Sequence, residues 1–145
     1  MPKRVKKPVS GYEKFMGLVK AEMLKVHSKE TVEHALDPRN MVPMSEPNGH
    51  ARITGPCGDT MEIFLKVKNG RVVAASFLTN GCCSTIACGS VATELAKGKK
   101  ISEVEKIIPD SIIKVLGGLP EDSVHCSVLA ANTLKAAAED YLERQ

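Results

Sequence analysis

The sequence predicts an α+β fold, in which a small three-stranded antiparallel sheet carries helices packed on one face. Apolar and polar residues alternate in two neighbouring runs, 60–67 and 72–78, as they do in strands that bury one face. The pair Asn69-Gly70 between the runs tolerates the positive φ angles of a two-residue hairpin turn. Helical periodicity before and after this hairpin completes the α+β pattern.

Two helices are predicted before the sheet. Ser28 is placed to cap the second of them, and Pro38 would end it. Residues 37–50 follow, with three prolines and no periodicity, and predict a loop. The first helix is predicted to be amphipathic, because its apolar residues recur at helical spacing. These are Tyr12, Phe15, Met16, Val19, Met23 and Val26.

The sheet itself is expected to contain a third strand at 50–54, because a lone hairpin is only marginally stable. In the first hairpin strand Met61, Ile63, Leu65 and Val67 share one face, and in the second Val73, Ala75 and Phe77 do so.

Helices are predicted for the rest of the chain. The first spans 84–97 and stops at Gly98, a suitable left-handed cap. Ser102 and Glu105 form a capping box for the next, which Pro109 would end. A short segment at 110–116 precedes the last helix. That helix is predicted to run from near His125 to about Arg144 and to bury Val128, Ala131, Leu134, Ala138 and Tyr141.

The composition indicates a single globular domain with no nucleic-acid partner. The chain has 145 residues, of which 43% are hydrophobic and 26% charged, so it can build one compact core. Four positive charges lie in the first seven residues, and the remainder has 16 basic and 17 acidic side chains. Aromatic residues are only 3% of the chain, which leaves little to stack on bases. A near-neutral body argues against a phosphate-binding surface.

No membrane partner is expected either. No apolar run is long enough to cross a bilayer, and the basic start is not followed by the apolar segment of a signal peptide. These features predict a cytoplasmic protein. Five cysteines in such a chain are more consistent with metal ligands, catalytic groups or free thiols than with disulfides.

Most cysteines lie at boundaries between predicted elements, where side chains from different elements can converge. Cys57 precedes a strand, Cys82 and Cys83 lie between a strand and a helix, and Cys126 starts the last helix. Together with Asp59 and His125, three of these thiols would make a metal site. No Cys-x-x-Cys pair is present, so neither a zinc finger nor a thioredoxin-like redox site is indicated.

Three segments carry a resemblance to a known family. "GPCGDTMEIFLKVKNGRVVAASFLTNGC", "LGGLPEDSVHCSVLAANTLKAA" and "HSKETVEHALDPRN" are similar to the IscU/NifU-type iron-sulfur cluster assembly scaffolds, with Asp37 in place of the usual Asn. The resemblance runs from His27 to the C-terminus. It divides the chain into residues 1–26, a basic tail plus an extra helix, and residues 27–145, a scaffold domain like a stand-alone NifU N-terminal domain with the SufE/NifU-like fold.

The resemblance implies a function and a set of site residues. Such a scaffold is not an enzyme: it receives sulfur from a cysteine desulfurase as persulfide, combines it with iron into a [2Fe-2S] cluster, and passes the cluster to recipient iron-sulfur proteins. Cys126 is the preferred persulfide acceptor, and whether the cluster bridges a homodimer is open. Zinc is expected to bind the apo protein. The implied ligands are Cys57, Cys82 and Cys126, with Asp59 and His125 competing for the fourth position.

The chain departs from the family pattern at several positions. Glu121, Asp122 and Ser123 stand where many IscU proteins continue a Leu-Pro-Pro-Val-Lys motif, so a DnaK-type chaperone contact is not implied. Cys83 replaces a small residue and is either inert or a thiol able to substitute for Cys82 or pass sulfur. Cys88 is interpreted as a buried helical thiol, and His27, His34 and His50 are given no role.

Two other functions remain as alternatives. One is a zinc-dependent sulfurtransferase like the SufU branch of the same fold. That branch usually lacks the histidine before the last cysteine and has an insertion, so His125 favours the scaffold. The other is a structural zinc module, which would not need Asp59.

Overall fold

The structure is a computed structural model that describes residues 10–145. The four positive charges of the predicted basic tail, in residues 1–7, therefore lie outside the described residues. Within them, helices and strands follow one another in the predicted order. They are α1 (Gly11–Leu24), α2 (Lys29–Leu36), β1 (Gly49–Thr54), β2 (Thr60–Lys68), β3 (Arg71–Thr79), α3 (Cys83–Ala96), α4 (Ile101–Val104), α5 (Pro109–Val115), a 3₁₀ turn (Glu121–Ser123) and α6 (Val124–Glu143).

The three strands form an antiparallel sheet in the order β1-β2-β3, which confirms the predicted architecture. Asn69 and Gly70 have φ angles of 52° and 73°, as a type I′ hairpin turn requires. The third strand, β1, pairs along its whole length with β2. One face of the sheet packs against α6 and α3, so the core lies between the sheet and these two helices.

A β-bulge changes the predicted alternation in β3. The pairing shifts between Lys66 and Val67, so that Val67 lies opposite Val72 and Val73 is the extra residue. Val72 is therefore buried, whereas Val73 is 53% exposed. The prediction that Val73 shares a face with Ala75 and Phe77 was wrong for this reason.

Two predicted helix starts also differ from the structure. α3 begins at Cys83, with Cys82 as its N-cap. α4 begins at Ile101, with Lys100 as N-cap and no capping side chain, so the predicted capping box at Ser102 was wrong. The hairpin decides this start, because the Ile101 N–H donates to the Gly70 carbonyl at 2.9 Å. α4 ends well before Pro109, which is the first residue of α5.

Helix α6 buries most of its predicted face. Ala131, Leu134 and Ala138 are buried and Tyr141 packs partly against the core, but Val128 is 40% exposed. None of the helices in residues 10–145 combines the length and apolar character that a membrane span requires.

The two N-terminal helices are held very differently. Ser28 caps α2 as predicted, since its Oγ accepts a hydrogen bond from the Thr31 N–H at 3.0 Å, and α2 packs against α3. Helix α1 forms as predicted, yet none of its residues is buried. Tyr12 and Phe15 on its apolar face are 72% and 61% exposed.

Candidate metal centre

Three separate elements bring ligand-type side chains to one end of the sheet. Asp59 lies in the turn before β2, Cys82 caps α3, and Cys126 lies in the first turn of α6. One carboxylate oxygen of Asp59 and the two sulfur atoms all lie within 4.8 Å of one another. The structure thus brings together three of the five predicted site residues.

Thr85 connects these three side chains. It is fully buried, and its hydroxyl lies 2.9 Å from Asp59 Oδ2, 3.3 Å from Cys126 Sγ and 3.7 Å from Cys82 Sγ. A hydroxyl has only one hydrogen to donate, so Asp59 and Cys126 compete for it. Gly81 allows this packing, because a Cβ on it would lie 2.5 Å from the Thr85 Cβ.

Sequence reasoning missed Thr85. The available indication was its spacing: three residues after Cys82 is about one helical turn, which places both side chains on the same side of α3. Nothing in the sequence, however, indicates that Asp59 and Cys126 would lie within reach of its hydroxyl.

The other two predicted residues lie at the rim of this group. His125 is exposed, and its Nε2 lies 3.7 Å from Cys126 Sγ. Cys57 is exposed in the turn that Gly55 and Gly58 close, where the Gly58 N–H donates to the Gly55 carbonyl at 3.0 Å. Cys57 lies outside the three-residue group. It is near enough, however, for its charge to raise the pKa of Cys126.

The thiol of Cys126 is held in its neutral form. Burial raises its pKa to about 11, and the negative charges of Cys82, Asp59 and Cys57 add to this effect, while the Thr85 hydroxyl opposes it. The negative charges of the neighbouring side chains therefore oppose the ionisation of Cys126. A bound cation would relieve this repulsion and favour the thiolate.

The pKa of Cys82 is shifted in the opposite direction, below its ordinary value. Burial is the largest single influence and would raise its pKa, but hydrogen bonds from the Thr85 backbone and side chain and from the Ser84 backbone together lower it below the ordinary value. An exposed thiol with a lowered pKa is a reactive one.

The two remaining cysteines differ from each other. Cys88 is fully buried in α3 as predicted, and burial raises its pKa strongly. Cys83 is half-buried, and its Sγ lies 3.2 Å from His27 Nε2, a contact that the sequence did not predict. All five cysteines are free thiols.

The donor set fits a soft or borderline metal. Thiolates suit iron-sulfur units and zinc, and a carboxylate or an imidazole can complete four-coordination. Asp59, Cys82 and Cys126 already supply three such groups, with His125 and Cys57 beside them. The chemistry of these side chains therefore suits a metal or a cluster, and they offer more donors than a four-coordinate metal needs.

Comparison with known proteins places the chain in a family. Residues 26–145 match the family described as the NifU-like N terminal domain, and the chain belongs to that family. This confirms the resemblance found in the sequence motifs.

Curated relatives are named for iron-sulfur cluster assembly, one as a scaffold protein and one as an enzyme. The chain is 42% identical over 120 residues to the iron-sulfur cluster assembly scaffold protein IscU 1 of Archaeoglobus fulgidus, covering 82% of this chain and 78% of that protein. It is 41% identical over 125 residues to the iron-sulfur cluster assembly enzyme IscU of Drosophila melanogaster, covering 83% and 80%.

A solved structure supports the fold. The N-terminal NifU-like protein of Brucella abortus superimposes with a TM-score of 0.64 at 20% identity, covering 81% of this chain and 94% of that one. At this identity the likeness shows the fold alone.

Proposed function

We propose that this protein is a scaffold on which a [2Fe-2S] cluster is assembled and from which it is passed on. The observation that carries the proposal is the convergence of Asp59, Cys82 and Cys126 within 4.8 Å, in a chain that shares its family with IscU-named relatives. In this function iron and sulfur are cargo, and the protein itself is not an enzyme.

The mixed ligand set suits a cluster that has to leave. Thiolates hold iron-sulfur units firmly, whereas a carboxylate or imidazole ligand is weaker and exchanges more readily. We assign Cys57, Cys82 and Cys126 as thiolate ligands. Asp59, tied to Thr85, and His125, at the exposed rim, are the two candidates for the fourth position.

The electrostatics support an order of loading. Cys126 is the proposed persulfide acceptor, yet it is 1% exposed and burial raises its pKa to about 11. Iron bound by Asp59 and Cys82 would counter the negative charges that keep Cys126 protonated, and would make it a better nucleophile. Iron is therefore proposed to bind before sulfur arrives.

The proposed partners follow from this task. They are a cysteine desulfurase as sulfur donor and iron-sulfur proteins as recipients, in the cytoplasm. Zinc is proposed to occupy the same ligands when iron is absent. The division at residue 26, a homodimer around the cluster, and the absence of a DnaK-type chaperone contact at 119–123 remain predictions.

Anaerobic reconstitution tests the assignment. The protein is incubated with ferrous iron, cysteine and a cysteine desulfurase, and the visible absorption of a [2Fe-2S] cluster is followed. Cys57→Ser, Cys82→Ser and Cys126→Ser should each lose the cluster, whereas Cys88→Ala, which changes a buried thiol outside the site, should keep it. Asp59→Ala should retain the cluster for longer in the presence of an apo recipient.

Two outcomes would contradict the proposal. A protein that binds only zinc and strongly stimulates desulfurase turnover would be a sulfurtransferase. Sulfur uptake at Cys126 that is equally fast with and without ferrous iron would contradict the order of loading, while leaving the scaffold assignment intact.

A further inference from the structure

A further thiol, that of Cys83, lies next to Cys82 in the sequence but has contacts that the candidate metal centre does not share. Cys83, the first residue of α3, is half-buried, and its Sγ lies 3.2 Å from the Nε2 of His27. His27 comes from the junction between α1 and α2 and is 56 positions away in the sequence. This contact joins the N-terminal part of the chain to the start of the helix that supplies Cys82.

Two buried polar atoms, one on each of the residues beside Cys83, lack hydrogen-bond partners in the described part of the chain. The side chain of Ser84 is 1% exposed, and its Oγ has no hydrogen-bond partner among residues 10–145. The Nδ1 of His27, the ring nitrogen that does not contact Cys83, is also buried and has no partner among the described residues. Burial raises the pKa of Cys83, and the Ser84 hydroxyl lies close enough to the sulfur to oppose that rise.

The buried Ser84 hydroxyl is a donor that lacks an acceptor within residues 10–145. Buried polar groups in folded proteins nearly always have a partner, and one without it is destabilising. A plain thiol is a weak acceptor and leaves the Ser84 hydroxyl unsatisfied. A second sulfur bonded to Cys83 would lie about 2.05 Å beyond Sγ and would add an acceptor atom next to these donors.

Neither a metal nor a disulfide explains the arrangement. Among residues 10–145, the one group of three ligand-type side chains is Asp59, Cys82 and Cys126, so Cys83 and His27 lack the further ligands that zinc needs. A disulfide between Cys82 and Cys83 is disfavoured, because adjacent Cα atoms are about 3.8 Å apart, below the usual disulfide range.

We propose that Cys83 is a sulfane-sulfur acceptor, with Ser84 and His27 as the donors that hold its persulfide. This inference rests on the proposed function, which supplies protein persulfides as co-reactants. The Cys83 sulfur attacks the outer sulfur of a donor persulfide, and the bond between the donor's two sulfurs breaks. The donor leaves as a thiol with the proton that Cys83 gave up, so no electrons are gained or lost overall.

The position of Cys83 gives this sulfur a use. It directly follows Cys82, the exposed thiol and proposed ligand at the N-terminus of α3. A sulfur stored on Cys83 would stand beside the metal centre without occupying a ligand. The chain would thus hold a second sulfur acceptor in addition to Cys126.

Persulfide mapping tests the proposal, with glutathione persulfide as the probe. Trypsin is expected to release residues 72–97 as one peptide, which contains Cys82, Cys83 and Cys88. In the Cys82→Ser variant the added sulfur should remain on this peptide. It should be lost in Cys82→Ser/Cys83→Ser, and kept in the matched control Cys82→Ser/Cys88→Ala.

The supporting donors are tested in the same Cys82→Ser background. Ser84→Ala and His27→Phe should each shorten the lifetime of the Cys83 persulfide roughly fivefold, which is the effect of one lost hydrogen bond. Neither variant should change the lifetime of a persulfide on Cys126. Far-UV circular dichroism and the unfolding midpoint establish that each variant is folded.

The two proposals fail in different ways. If the wild-type protein assembles a cluster but the Cys82→Ser peptide never carries sulfur, or carries it equally after Cys83→Ser, Cys83 is not an acceptor. Unchanged persulfide lifetimes in both donor variants would also overturn the role of Ser84 and His27. If the wild-type protein takes up sulfur but never assembles a cluster, the scaffold function itself is wrong.

Discussion

Helices α1 and α3 have the same length and opposite environments. Each has 14 residues, but α1 buries none of them, whereas ten residues of α3 are buried. Helix α1 has the clearer amphipathic pattern, with large apolar side chains such as Tyr12 and Phe15 on one face. Helix α3 is built mainly from small residues, including Ala87, Gly89 and Ala92.

The difference shows that close fit, rather than an amphipathic stripe, decides which helix enters this core. Small residues on α3 let it approach the sheet closely: the ring of Phe77 fills the space where a Cβ of Gly89 would stand. Helix α1 contacts α2 and leaves its apolar face exposed. The geometry of the site depends on the tight packing of α3, because Cys82 caps this helix and is held in place by the contacts of α3 with the core.

The largest expected effect is on the packing of α3. In Gly89→Ala the new Cβ would lie 2.5 Å from Phe77 Cδ2 and 3.1 Å from Met61 Cε, and both of those side chains are fully buried. We expect the free energy of unfolding to fall by about 1–3 kcal/mol, which is the usual cost of overpacking a core. Urea denaturation measures this. An unchanged midpoint would mean that Phe77 can move aside and that α3 is not tightly packed.

The next effect concerns Thr85 at the start of the same helix. Thr85→Val keeps the shape and removes the hydroxyl that contacts Asp59 and Cys126, so zinc affinity should fall by about 10–100-fold. Thr85→Ser keeps the hydroxyl and should bind zinc nearly as well as the wild type. Competition with a chromophoric chelator measures both affinities. Equal loss in the two variants would indicate a packing role only.

These residues also show what the sequence could and could not predict. The hairpin was predicted because its evidence is local: the alternation in β2 and the Asn69-Gly70 turn lie within one stretch of chain. The cysteines that we propose as ligands were singled out because motifs mark them. Thr85 was missed, because its role depends on Asp59 and Cys126, which only the tertiary fold brings to it.

Periodicity predicted which face of a helix is apolar, but not whether another element covers that face. Tyr12 and Phe15 were therefore placed correctly on one side of α1, although the structure leaves them exposed. Val128 in α6 is exposed for a related reason: it lines an open groove between α6 and the end of β1, beside Gly55 and Pro56, that no other element of the described chain covers. The contact between Cys83 and His27 had no indication in the sequence, since it joins residues 56 positions apart.

The stability of the protein and its affinity for zinc should both depend on pH through Cys126. Burial raises the pKa of Cys126 to about 11, above its ordinary value of 9.0, so the fold favours the protonated thiol. That contribution to stability is present below pH 9.0 and is lost as the pH rises through 11. Metal binding needs the Cys126 thiolate and therefore displaces the proton of this thiol. At pH values below the pKa of Cys126, the loss of this one proton should make zinc affinity rise about tenfold per pH unit.

Proton release measures this directly. In a weakly buffered solution at pH 7 to 8, the wild-type protein should release one proton more per zinc than Cys126→Ser, while Cys88→Ala should match the wild type. Equal release by wild type and Cys126→Ser would mean that Cys126 is either already ionised or not a ligand.

The smallest effect is expected in α1. Among the described residues, and apart from its chain neighbours and the backbone of α1 itself, nothing lies within 4 Å of a Cβ placed on Gly17, so Gly17→Ala is free of the clash that Gly89→Ala creates. Alanine should stabilise the helix itself by about 0.5–1 kcal/mol, because it reduces the backbone entropy lost on helix formation. Since α1 buries no residue, this gain should slow amide hydrogen exchange within α1 and leave the global unfolding midpoint almost unchanged. A global midpoint that rises by the full amount would show that α1 unfolds together with the core, and that its contact with α2 couples the two helices more strongly than its exposure indicates.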